Sequence, residues 1–372
     1  MASVEKRGKT WTVRYRALDE ATGKFGQKRA SGYESEQKAW EDVPRLEAAT
    51  AAGIDIHADT MTCGELMLKW MAEHCEQIPL AETTISKYTE GMEAIAKTFV
   101  WDTQVRKMGN PQFRTLITIL RNQNPKKQIS TRTVLDRTEP LRLSINWAVS
   151  ERIIARSPLG ALKLPKVEKP PLTILNEEDV EELAALVREK EFRIPFLLAA
   201  YGGLRREEAA ALRWDNIDFK AGTITIINAE PQTSKKKRIK KDPKTKHSRR
   251  TINMPKKIMD ILKSAEKKSV YVCVTSTGKQ YGLDSYAQAV GRLIEKANNA
   301  RLGTDKPPMP DANYLDLRHS HAAHLIKMGV QPKVIQERLG HASIKITMDT
   351  YGYLMTGIQA GVADDLDARI SI

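Results

Sequence analysis

Leu317-Arg318-His319, Leu339-Gly340-His341 and Asp349-Thr350-Tyr351-Gly352-Tyr353 are the stretches near the C-terminus on which the reading of this chain turns. Arg318 sits in an apolar helical pattern. Gly340 closes the helical run Gln331 to Leu339 as a C-cap, because glycine accepts the left-handed conformation of a helix end without a Cβ penalty. Tyr351 follows this Gly-His turn by ten residues. Alone it reads equally well as a half-buried helix tyrosine. Two upstream blocks supply partners for it. One is Tyr201-Gly202-Gly203-Leu204-Arg205-Arg206-Glu207-Glu208, followed by Leu212-Arg213-Trp214-Asp215. The other is Pro243-Lys244-Thr245-Lys246-His247-Ser248-Arg249-Arg250.

In this order the residues resemble the active-site half of the tyrosine recombinases, the phage-integrase family. Arg205 falls in the slot of the family's first arginine, with Glu208 three residues on. Lys244 falls in that of the hairpin lysine, with Lys246 and Lys241 as alternatives. Arg318, His341 and Tyr351 complete the set. Glu208 is expected to support the arginine site rather than touch DNA.

The residue types suit the chemistry that the resemblance implies. Cleaving a phosphodiester with a protein nucleophile requires in-line attack, stabilised charge on the non-bridging oxygens, and a proton for the leaving sugar oxygen. Guanidinium forks match a phosphate bidentately and stay charged, so Arg205 and Arg318 on one phosphorus would make an electrostatic clamp needing no metal. The phenol of Tyr351, ordinarily titrating near pH ~10, needs cationic surroundings or a base to attack at neutral pH. Attack would leave a 3′-phosphotyrosine and a 5′-hydroxyl, with no ATP or other cofactor. Lys244 would protonate the leaving oxygen, and His341 would donate to the scissile phosphate. Tyr353, where the family often has His, is read as a packing or hydrogen-bonding residue. His321 and His324 share a helix face but have no carboxylate or Cys beside them, so they are not read as a metal site, and His319 and His324 are read as packing or hydrogen-bonding residues of the core.

Composition agrees with a polyanionic partner. The formal charge is +14 with a pI near 9.5, and ten Lys or Arg lie between Lys235 and Arg250 against the single Asp242. Such a run is either a solvated loop or a nucleic-acid contact; beside Lys244 it is read as the latter, with Lys235, Lys236, Lys237, Arg238 and Lys246 as DNA-binding residues. Binding of that kind releases counterions and weakens as salt rises. Three scattered cysteines suit a reducing compartment. No apolar run approaches membrane-span length and no signal-peptide core is present, so a cytoplasmic protein is expected.

Along its 372 residues the chain reads as multidomain. Residues 1–55 are expected to form a small β-sheet plus helix. Lys9 to Ala17 alternates as a strand with Trp11, Val13 and Tyr15 on one face and Thr12, Arg14 and Arg16 on the other; Phe25 to Ala30 returns, and a helix from Ser35 is kinked or interrupted at Pro44. This resembles the arm-type DNA-binding domain of phage and conjugative-element integrases, with Arg14 and Arg16 toward DNA; a protein-interaction module is the alternative. Residues 60–160 read as all-helical: a capping box of Thr62 and Glu65, then helices at Thr83 to Phe99, Pro111 to Arg121 and Ser130 to Ile154. The resemblance makes this the core-binding domain. A Pro-rich linker from Ser157 to Pro171 leads to residues 172–372, mainly helical α+β, with Asn176 as a helix cap and strands at Thr223 to Ile227, Arg250 to Met254 and Val270 to Val274. The apolar tail beyond Tyr351 is expected to dock on a neighbouring protomer or fold back in cis.

The resemblance as a whole implies an integrase of a phage or mobile element acting on double-stranded attachment sites as a homotetramer, with a directionality factor (excisionase) and a DNA-bending host factor. A type IB topoisomerase and a non-catalytic regulator, using Gln331 to Tyr351 as a helix-turn-helix, are the rival readings. One position departs from the family: the slot three residues before Arg318, usually His, holds Leu315, with Tyr314 beside it. Leucine moves no proton, so that role is missing or taken by Tyr314 or a neighbour, and a slower enzyme is expected. Leu315→His should therefore speed single-turnover DNA cleavage; an unchanged rate would make the slot unimportant here.

Overall fold

The N-terminal fifty residues place strand β1 (Ser3–Arg7) beside β2 (Thr10–Asp19) and β2 beside β3 (Lys24–Tyr33), all antiparallel, with helix α1 (Glu36–Ala51) packed on the sheet. The structure is a computed structural model and describes residues 2–19, 24–51, 61–78, 80–124, 128–160, 162–168, 171–187, 190–227, 229, 249–355, 367, 368 and 370. Val13 and Tyr15 are buried against Ala39, Val43 and Leu46 of α1, as alternation requires. Two expectations need correction. Thr12, assigned to the outer face, is buried, because a register shift between Trp11 and Thr12 lets its hydroxyl donate to Ser31. And of the kink or interruption expected at Pro44, the interruption does not occur, since α1 runs through it. The carbonyl of Trp40, which a proline four residues later cannot bond, belongs to a residue half exposed to solvent.

Helices α2 (Cys63–Gln77), α3 (Glu82–Ile95), α4 (Asn110–Arg121) and α5 (Thr131–Ser150) follow. Thr62 and Glu65 form the expected capping box: the Thr62 hydroxyl accepts from the Glu65 N–H at 3.2 Å, and the Glu65 carboxylate accepts from the Thr62 N–H at 2.8 Å. Leu66, Met67, Phe113, Leu116, Leu141 and Ile145 bury a common core. Residues 1–168 make one compact unit and the rest of the described chain a second.

The second unit opens with α6 (Glu177–Leu186), capped by Asn176 through Asp179. Then come α7 (Lys190–Gly202), α8 (Arg206–Ala211), a sheet ordered β4 (Ile217–Asp218), β5 (Thr223–Ile226) and β6 (Arg250–Asn253), and α9 (Lys256–Ser264). Helices α10 (Leu283–Arg301), α11 (Tyr314–Lys327), α12 (Pro332–Leu339) and α13 (Ile344–Tyr351) complete it. Val270 to Val274 is not a strand: Tyr271 and Val274 make only isolated bridges to Arg213 and Gln280. The adjacent residues Val272 and Cys273 are both buried, so the segment also lacks the alternation of a half-buried strand.

Two glycines bring the site-bearing segments together. Gly203, at φ +66°, turns the chain from α7 to α8 so close to α11 that a Cβ there would sit 2.8 Å from the His321 ring. Gly340 ends α12 at φ +65°, and its Cβ would meet the Arg250 guanidinium at 2.8 Å. Neither position admits a side chain without strain.

In the first unit Gly64 is equally constrained, since its Cβ would fall 2.5 Å from the Trp101 indole. Gly64→Ala should overpack this contact at a cost of about 1–3 kcal/mol. Its thermal midpoint should drop by several degrees, and an unchanged midpoint with unchanged tryptophan fluorescence would disprove the close contact.

Candidate active site

Glu208, in the first turn of α8, is buried, and three arginines close on its carboxylate, one from the N-cap of its own helix and two from distant segments. Arg250, at the start of β6, donates through both terminal nitrogens at 2.9 and 2.8 Å. Arg205 donates from its side chain at 2.9 Å and from its backbone N–H at 2.9 Å, so the same carboxylate caps α8. Arg318 of α11 lies 3.9 Å away. Burial opposes ionisation of Glu208, but the bonds and charges of Arg250, Arg318 and Arg205 outweigh it and hold its pKa down at about 2.

The other anchor is the C-terminal end of α12, whose last carbonyls have no partner within the helix and carry the negative end of its dipole. The Leu339 carbonyl accepts from Arg318 at 2.7 Å and from Arg205 at 3.4 Å. That of Arg338 accepts from Arg250 at 2.7 Å. Arg318 also donates to the Gly203 carbonyl at 2.6 Å. Two guanidinium groups more than a hundred residues apart thus reach one oxygen atom. Arg318 is fully buried; burial and the charge of Arg205 lower its pKa to about 9, which leaves it protonated at neutral pH. Arg205 keeps 38 % of its side chain exposed and is the arginine of the three open to a ligand.

Tyr351 and His341 lie beside this cluster. Their rings are nearly parallel, 11° apart, with centroids at 6.4 Å. His341 shares a 2.8 Å hydrogen bond through Nδ1 with the Thr347 hydroxyl, which fixes the ring and leaves Nε2 free of that bond. Burial, then the charges of Arg318, Arg205 and Arg250, push its pKa down to about 3, so it is neutral. The Tyr351 hydroxyl lies 2.8 Å from Nδ1 of His319. Burial raises the phenol to about 12 despite the opposing effect of Arg318 and Arg205.

The remaining expected residues fall as follows. Tyr314 cannot stand in for the histidine missing at Leu315: its buried hydroxyl donates to the Pro195 carbonyl at 2.9 Å and its ring packs edge-on against Tyr286. Leu315 is half exposed, one turn before Arg318. His321 Nε2 accepts from Arg338 while Nδ1 bonds the Ala200 carbonyl, and His324 bonds the Leu175 carbonyl. Among the described residues no cluster of metal-ligating side chains occurs. Nor is any helix among them long and apolar enough to cross a membrane. Arg14 pairs with Glu5 at 2.9 Å, and Arg16 is exposed. Lys235, Lys236, Lys237, Arg238, Lys244 and Lys246, and the tail after residue 355 save three positions, lie outside the described residues.

Sequence reasoning missed Arg250, Thr347 and the pairing of His319 with Tyr351. Arg250 had a signal: it alternates with buried Ile252 on one face of β6. His319 had none beyond its place next to Arg318.

Because the pKa of Glu208 is depressed, its ionised form contributes stability that is fully present above the ordinary value of 4.5 and is lost as pH falls toward 2. Glu208→Gln should cost about 3 kcal/mol at pH 7. Urea titrations should show the gap to the parent narrowing between pH 4.5 and 2. A gap independent of pH would contradict the ion cluster.

Residues 173–354 match the phage integrase family. The chain is 23% identical over 343 residues to a XerC-like tyrosine recombinase of Caldanaerobacter subterraneus, covering 85% of each. It is 26% identical over 257 residues to the ICEBs1 integrase of Bacillus subtilis, covering 68% of this chain and 69% of that one. The fold matches the Tn1549 transposon integrase, solved in complex with transposon right end DNA, with a TM-score of 0.67 at 16% identity over 78% of this chain and 95% of that one. Residues 173–354 are therefore a phage integrase family domain, and the chain that carries it is a homologue of the tyrosine recombinases and integrases of DNA recombination.

Proposed function

We propose that this protein is the integrase of a phage or other mobile element, a site-specific recombinase that cuts and rejoins DNA through Tyr351. The observation that carries the reading is the approach of Arg205 and Arg318 to one oxygen, the Leu339 carbonyl, with Tyr351 and His341 alongside. Guanidinium groups that converge on one oxygen could converge on a phosphate: Arg205 is open to one as it stands, and Arg318, buried on the Gly203 and Leu339 carbonyls, would exchange a carbonyl for it as the site opens, so that both offset the charge of the pentacoordinate transition state.

In this mechanism the Tyr351 oxygen attacks phosphorus in line and the bond to the 5′ oxygen breaks. His341 donates to a non-bridging oxygen. Lys244 protonates the departing oxygen, its flexible ammonium suiting a general acid. The 3′-phosphotyrosine keeps the energy of the broken bond, so a 5′-hydroxyl of another strand can reverse the step without ATP. The arginines supply the positive charge, and no metal is required. Tyr351 is only 1% exposed, so duplex entry and opening of the site go together.

Four protomers on two duplexes would exchange one strand pair and then the other. Residues 1–55 would bind arm-type sites with Arg14 and Arg16, residues 60–160 would clasp the core site, and Lys235 to Arg238 with Lys246 would bind backbone phosphates near the cut. An excisionase and a DNA-bending host protein would set direction.

A nicked suicide substrate, which loses its short leaving strand, tests the proposal. The parent protein should form a denaturant-stable adduct and Tyr351→Phe none. Lys244→Ala should cleave ordinary DNA about a hundredfold more slowly, yet cleave near the parent rate when sulfur replaces the leaving 5′ oxygen, because a thiolate departs unprotonated. An adduct that persists in Tyr351→Phe would overturn the reading.

A further inference from the structure

We infer that His319 is the general base that takes the phenol proton of Tyr351 as the tyrosine attacks DNA, the role Leu315 cannot fill. The inference rests on Tyr351 being the nucleophile and adds the fate of its proton.

The geometry is specific. His319 Nδ1 is 2.8 Å from the Tyr351 oxygen, a hydrogen-bonding distance, with the two rings tilted at 58°. The alternatives nearby are committed. Nδ1 of His341 is bonded to Thr347. His321 is held at both nitrogens, by the Ala200 carbonyl and by Arg338. The Tyr314 hydroxyl is spent on the Pro195 carbonyl, and Glu208 is held by arginines. Leu315 carries no group that could move a proton.

The groups that act on His319 are Asp316 and Arg318 on its own helix and Tyr351 and His341 across from it. Burial is the largest influence and lowers its pKa, Asp316 opposes, and Arg318 adds to the lowering, so the ring is neutral at pH 7 and Nδ1 can accept. A free phenolate is not available, since the Tyr351 pKa stands near 12. Proton transfer must therefore accompany bond formation. The Tyr351 oxygen bonds phosphorus, its proton passes to His319 Nδ1, and the bond from phosphorus to the 5′ oxygen breaks as that oxygen is protonated. In rejoining, the 5′-hydroxyl attacks and gives its proton back to the group that supplied it in cleavage, Lys244 in the proposed mechanism, the phosphotyrosine bond breaks, and the imidazolium returns its proton to the phenol oxygen.

Single-turnover cleavage of the nicked substrate tests this with His319→Asn, which keeps an acceptor near the Nδ1 position but cannot take a proton. The rate should fall about 10²–10³-fold. The acid limb of the parent's pH profile, lying below pH 6.5 because a base fails once protonated, should vanish. Installing 3,5-difluorotyrosine at position 351 lowers the phenol pKa and should shrink the His319→Asn defect to less than about tenfold. A parent-like rate in His319→Asn overturns the inference while leaving Tyr351 as nucleophile. A defect that fluorination does not relieve also overturns it, because a purely structural histidine would behave that way. Absence of any Tyr351-dependent adduct from the parent protein removes the reading beneath it.

Discussion

Burying positive charge is possible here only because one carboxylate and one helix end absorb it. Guanidinium groups removed from water without partners would destabilise the fold by several kcal/mol each. Glu208 accepts from Arg250 and Arg205 and faces Arg318, the last carbonyls of α12 accept from all three, and Arg318 donates also to the Gly203 carbonyl. The same carboxylate receives the Arg205 N–H, so the group that caps α8 is also the one that joins α8 to β6 and faces α11. This couples secondary structure to tertiary assembly at the point where the chemistry is expected.

The arrangement also explains the strictness of the turns. Arg250 can lie across the end of α12 because Gly340 has no side chain, and α7 can approach α11 because Gly203 has none. Arg338 adds a second tie, donating to the Tyr201 and Asn253 carbonyls and to His321, so that α7, β6, α11 and α12 meet at one residue. An arginine cluster held by loops alone would be placed less firmly.

Much of this was legible in the sequence. The capping signals at Thr62 and Asn176, the glycine at 340 and the helical periods of α3 to α5 follow from local rules, and local rules suffice where neighbours in sequence are neighbours in space. What stayed hidden was long-range. Strand β1 shows no alternation, for both of its faces are largely polar. Arg250 sat at the end of a basic run that looks solvated, and only pairing with Ile226 turns it inward. His319 looked like a core residue because nothing local reveals that α13 returns Tyr351 to it across 32 residues. Composition alone could not separate the buried arginine from the exposed one.

The balance of forces on Tyr351 bears on the reaction proposed for it. Arg318 and Arg205 favour the phenolate, yet burial prevails and the pKa rises. A DNA phosphate entering beside those arginines would bring negative charge and cancel part of their help, so the phenol would become harder to ionise when substrate arrives. In the proposed reaction positive charge by itself would then not arm Tyr351. What the cluster can do is favour the transition state, in which charge gathers on the phosphoryl oxygens, over the ground state. Removing the proton is a separate requirement, and it must be met by a neutral group already in contact with the phenol oxygen. A histidine whose pKa is lowered by the burial around it satisfies both conditions.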